Sequence, residues 1–199
     1  MSRIKIPAIV LSLLILTACM GAKAMEVTYT LRSGVSLKDY TVYLVVNDQR
    51  KYQELVGPEA RERGLFEELR GGRFDLKIDM PNGSKVTMTN LTPVEAVRES
   101  VSRKLATQGA STTNQRASAH LTVEITIEQM NIDTEGSDLV ARVFLNSQVY
   151  RDASAVSKSS SGATSNRIKL IGGTGGASVL SEALSQALND LDLSGINKY

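Results

Sequence analysis

The chain has 199 residues, of which 22 % are charged and 5 % aromatic, and its formal net charge is +2. Cys19 is the only cysteine and His120 the only histidine, which excludes an internal disulfide framework, a thiolate metal site and a histidine-based metal cluster. So slight a charge gives no electrostatic reason to expect a nucleic-acid partner.

The first 18 residues fall into three zones. Arg3 and Lys5 supply a positive start, residues 8–16 (AIVLSLLIL) are apolar apart from Ser12, and the small residues Thr17 and Ala18 precede Cys19. This is the pattern of a secretory signal peptide. The apolar run is too short for a membrane span, which needs roughly 20 residues. A cut after "AKA" (22–24) is the competing exit. Leu16-Thr17-Ala18-Cys19 resembles the lipobox of bacterial lipoprotein precursors, which implies cleavage before Cys19 and lipid attachment at its sulfur. By the same resemblance, Met20 in place of Asp points to the outer membrane. One acyl chain holds a protein to a bilayer marginally and two or more hold it stably. Removal of residues 1–18 takes Arg3 and Lys5 with it and leaves a neutral chain of one-domain size. The chain therefore reads as a signal peptide at 1–18, a lipidated N-terminus and tether at 19–40, and a periplasmic domain at 41–199.

A first strand is expected near Val27–Leu31. The β-branched run TVYLVV (41–46) is a second, ended by Asn47-Asp48. Residues 50–73 are charge-rich, with a short helix or ordered loop after Pro58, and their small apolar content places them at the surface. In FDLKIDM and KVTMT, apolar and polar residues alternate on either side of Asn82-Gly83, a strong hairpin signal. Thr92, Pro93 and Glu95 form a capping box with proline at the first helical position. Val94, Val97, Val101 and Leu105 make the apolar stripe of the helix that follows, and Gly109 stops it. Residues 111–118 read as loop.

LTVEITIE (121–128) alternates without error, as a strand covered on one face and wet on the other does. DTEGSD turns the chain, and Leu139, Ala141, Val143, Leu145 and Val149 resume the period of two. Residues 153–166, rich in Ser, Ala and Thr, read as a weak strand or hairpin end. RIKLI (167–171) closes the β region. A second helix at about 177–191 carries Leu180, Leu184, Ala187, Leu188 and Leu191 on one face. The expected fold is α+β: a single layer of mostly antiparallel sheet with two amphipathic helices packed on one face.

Four features could carry chemistry. The glycine-rich IGGTGGASVL (171–180) lacks the Lys of a phosphate loop and the early βαβ unit of a dinucleotide site, so it reads as a tight connection. His120 opens a strand and has no partner set. Asp48-Gln49-Arg50 reads as an ion-paired turn, and Glu124 and Glu128 as residues of a solvated face. No catalytic, cofactor or metal residue is assigned, and the chain reads as a binding or scaffolding protein rather than an enzyme. Its expected partners are a membrane, held through Cys19, and another envelope protein.

Taken in order, these features resemble the YajG-like bacterial lipoproteins. The shared series is the lipobox at Cys19, a strand ending in DQR (48–50), a hairpin feeding VEAVRESVSRKLATQG, the long strand LTVEITIEQMNIDTEG and a terminal amphipathic helix. It covers most of residues 41–193. The glycine run at 172–176, the serine-rich stretch at 157–165 and the length of the charged segment 54–73 depart from it. The resemblance implies location and fold more than mechanism. A looser likeness, to the auxiliary lipoproteins of ABC-type lipid-transport systems, implies a partner complex in the envelope.

Overall fold

The computed structural model describes residues 24–37, 39–168, 175–193 and 196. The signal peptide, Cys19 and the glycines at 172 and 173 lie outside these residues. In chain order the strands are β1 (Glu26–Thr30), β2 (Thr41–Asp48), β3 (Phe74–Asp79), β4 (Lys85–Leu91), β5 (Ser111–Thr113), β6 (Leu121–Glu135), β7 (Asp138–Arg151) and β8 (Ser154–Ile168). The helices are α1 (Pro58–Glu62), α2 (Pro93–Thr107) and α3 (Gly176–Asp190).

The α+β class holds, and the strands divide between two sheets. The larger has the order β5-β2-β6-β7-β8, the smaller β1-β3-β4. β6, β7 and β8 form an antiparallel meander, whereas β2 runs parallel to both β5 and β6, and β1 runs parallel to β3. Alternation along a strand reveals which face is buried. It does not reveal the neighbour, so the parallel pairings and the second sheet had no sequence signal.

The inner face of the large sheet is apolar. Leu121, Val123, Ile125 and Ile127 of β6 lie beside Val143, Leu145 and Val149 of β7, all at most 2 % exposed. Both long helices contribute to the same core, α2 through Val97, Val101 and Leu105 and α3 through Leu180, Leu184 and Leu188. Val27 and Tyr29 of β1 and Leu76 and Ile78 of β3 complete it from the small sheet. Thus β1, within the span 19–40, is a buried member of the fold.

Local sequence accounts for the boundaries. Thr92 Oγ1 accepts from the Glu95 N–H, and Glu95 Oε2 accepts from the Thr92 N–H at 2.8 Å, which closes the capping box at the start of α2. These bonds, first from the Thr92 backbone, hold the Glu95 carboxyl below the usual range. Gly83 takes φ +82° at the β3–β4 turn. β7 and β8 are joined by Asp152 and Ala153, both at positive φ, the backbone of a tight two-residue hairpin turn.

Two segments differ from their sequence reading, and a third takes one of its two expected forms. The charged segment 50–73 does form a helix after Pro58, but Leu55, Val56, Ala60, Phe66 and Leu69 are all buried. Its few apolar residues each find the core, and Leu55–Gly57 hydrogen-bonds along the half of β6 that β2 does not reach. Residues 111–113 extend the large sheet as β5 instead of forming a loop. The serine-rich stretch becomes β8, a full 15-residue strand, because small side chains let α3 pack closely over Ser161, Ala163 and Ser165.

Candidate functional site

The most elaborate polar arrangement lies where α3 runs along the free edge of β1. Ser181, Ser185 and Asn189 recur every four residues and so share one helix face. Their side chains act as a substitute strand. The Thr28 N–H donates to Ser181 Oγ (2.8 Å), the Thr30 N–H to Ser185 Oγ (3.1 Å) and the Arg32 N–H to Asn189 Oδ1 (3.1 Å). In return Ser185 Oγ donates to the Thr28 carbonyl and Asn189 Nδ2 to the Thr30 carbonyl, at 3.2 and 2.8 Å. An edge strand whose polar groups are taken in this way at Thr28 and Thr30 has few left to recruit another chain.

Above this seam runs an open groove of about 590 Å³, lined by Thr28, Thr30, Arg32, Arg167, Glu182 and Gln186 among others. Glu182 accepts from Ser165 Oγ at 2.8 Å and pairs with Arg167 at 3.5 Å. The lining is hydroxyl, amide and mixed charge. It can exchange hydrogen bonds with a polar ligand.

At the far end of α3, Lys104 of α2 reaches across the core. Its Nζ donates to the carbonyls of Leu188 (2.7 Å), Asn189 (3.1 Å) and Leu191 (2.9 Å), so one amine caps the helix C-terminus. Burial pushes its pKa from 10.5 down to about 8, against the opposing pull of Asp190 and Asp192. In sequence, Lys104 was one more polar position of an amphipathic helix. Its partners lie 84 to 87 residues away.

The fold brings some of the residues singled out in sequence together: Gln49, Glu124 and Glu128 line one small pocket, and Arg50 and Glu128 line another. Asp48 and Arg50 form the expected turn. Arg50 Nε and Nη2 each donate to the Asp48 carboxylate at 2.8 Å, and Nη1 donates to the Met130 carbonyl at 3.3 Å. Arg50 is only 7 % exposed. Its hydrogen bonds hold the Asp48 carboxyl below the ordinary range, against a smaller opposing effect of burial.

Glu124 accepts from the Tyr150 hydroxyl at 3.0 Å, which raises the pKa of that phenol, and Glu128 accepts from Asn146. These pairs lie on the outer face of the large sheet. His120 Nδ1 accepts from the Thr41 N–H at 3.0 Å and its own N–H donates to the Thr41 carbonyl, which fastens β2 beside β6. Of the glycine run, Gly176 opens α3 against Phe66. A Cβ there would stand 2.2 Å from the ring, so close approach requires glycine. Among the described residues, no three His, Cys, Asp or Glu side chains gather to hold a metal ion.

No protein-family model and no curated protein matches the chain. Solved structures that align with the chain include a Xanthomonas campestris protein of the family DUF330, at 15 % identity and a TM-score of 0.45, covering 85 % of this chain and 95 % of that one. A PelC dodecamer from Paraburkholderia phytofirmans aligns at 12 % identity and a TM-score of 0.39, over 79 % and 91 % of the two chains. Lipoprotein GNA1162 from Neisseria meningitidis aligns at 10 % identity and 0.29, over 73 % and 94 %.

Proposed function

We propose that the chain is a bacterial lipoprotein whose domain is held at the periplasmic face of the outer membrane through lipid on Cys19, and that it works by binding or scaffolding envelope components rather than by catalysis. The observation that carries the anchor is Leu16-Thr17-Ala18-Cys19 directly after an apolar run with a positive start. Since β1 begins at Glu26, the stretch 19–25 can reach no more than about 25 Å, and the domain would sit close against the bilayer. No helix among the described residues is long and apolar enough to cross a membrane.

The state of the polar side chains supports binding over catalysis. Ser181, Ser185 and Asn189 are committed to β1, Glu124 to Tyr150, and Asp48 to Arg50. Each of these is engaged in holding the fold rather than presented to a ligand.

The test of the anchor is Cys19→Ser in the native host. It should abolish acyl labelling and release the protein from the membrane fraction, and unchanged labelling and fractionation would refute the reading. Cross-linking of the wild-type protein in its envelope should recover a discrete envelope partner. Turnover of a substrate by the purified protein would count against the non-catalytic role.

A further inference from the structure

The sheet edges are treated unequally. β1 is covered by α3, and β5 is three residues long. β4 is seven residues long and opens on Lys85. β8 is the last strand of the large sheet and runs for 15 residues. Among the described residues, no backbone hydrogen bond reaches it except from β7. It contains no proline, and its only charged residues are Lys158 and Arg167. The usual protections of an edge strand, short length, charge, proline or a covering element, are therefore almost absent.

We infer that β8 is a pairing edge for a second copy of this chain, joined antiparallel about a two-fold axis at Gly162. Phe144 places the axis. It projects from the outer face of β7 and is 39 % exposed, yet its ring lies over Gly162 on the edge strand, where a Cβ would stand 2.3 Å from it. Paired strands lie about 4.8 Å apart. With Gly162 opposite its symmetry mate, the two Phe144 rings come within the roughly 4.5–7 Å at which aromatic rings pack. Each would cover apolar surface that the other leaves wet.

The charges agree with this register. Lys158 faces Asn166 of the second copy and Arg167 faces Ser157, so neither cation meets another. Ser160 faces Thr164, a cross-strand pair of hydroxyls. Gly162 lies one residue from the middle of β8, so nearly the whole strand pairs, and the two large sheets become one continuous sheet. The contact is isologous and closes on itself, as two-fold dimers do.

The experiment is sedimentation of the full-length chain in detergent under reducing conditions, read as buoyant molar mass against concentration. The wild type should be a concentration-dependent dimer. S160K/T164K sets lysine opposite lysine twice and should weaken dimerisation by at least about tenfold. S160K/T164E sets lysine opposite glutamate twice and should restore it. Ser160 and Thr164 are exposed, and unchanged circular dichroism would confirm that both variants fold. A monomeric wild type, or a dimer indifferent to S160K/T164K, would overturn the pairing edge. A dimer lost in both variants would overturn the axis at Gly162.

Discussion

Replacing Lys104 by methionine keeps the length and apolar stem of the side chain and removes the amine that caps α3. Three carbonyls, those of Leu188, Asn189 and Leu191, lose their donor. Hydrogen bonds from a charged group contribute about 1.5–3 kcal/mol each. Opposing them is the burial of the charge: displacement of the amine from 10.5 to about 8 corresponds to about 3 kcal/mol against the charged form. The difference puts the cost of Lys104→Met at about 1.5–6 kcal/mol, measured by urea denaturation followed by circular dichroism at pH 7.

The pH dependence tests the same reasoning more sharply. Between pH 8 and 10.5 the unfolded chain still holds this proton and the folded chain has released it, so stability from this group rises with pH, by at most about 1.4 kcal/mol per unit. Below pH 8 both states are protonated and the slope vanishes. The gap between wild type and Lys104→Met should therefore widen from pH 8 to pH 10. A gap that narrows would show that the three carbonyls retain the proton more strongly than burial expels it, and the assignment of burial as the dominant influence would fail.

Asp48→Asn leaves Arg50 buried with its charge unpaired and should cost about 3–5 kcal/mol in the same denaturation assay. Because the folded Asp48 carboxyl titrates below its usual 3.8, the wild-type contribution is complete above that pH and is lost as pH falls through the folded value. Acid unfolding of wild type and Asp48→Asn should accordingly converge as pH falls through the folded value. Asn189→Ala removes the partners of the Thr30 carbonyl and the Arg32 N–H, and hydrogen exchange should accelerate at Arg32 before it does in β6.

What could be read from the sequence was what neighbouring residues decide. The capping box at Thr92, the Asn82-Gly83 turn and the faultless alternation of 121–128 depend on residues a few positions apart, and each appears where it was expected. Partnership across the chain was illegible. Ser181, Ser185 and Asn189 present the ordinary polar face of an amphipathic helix, and only the fold brings β1 to them across more than 150 residues. Phe66 and Leu69 lie in a stretch dominated by charge, whose average hid two core residues. The candidate groove failed to appear for the same reason: Thr28, Arg32, Arg167 and Glu182 form no motif in sequence.

The seam between β1 and α3 also bears on how the protein is made. Among the described elements, β1 leaves any machine that synthesises or exports the chain before the other strands, and the helix that covers its edge follows all of them. Until then the edge is open, and its amides are available to any passing strand or chaperone. A chain cut short before Gly176 keeps that open edge and lacks the apolar face of α3 from its core. Closure of that edge therefore waits on a helix more than 150 residues further along the chain.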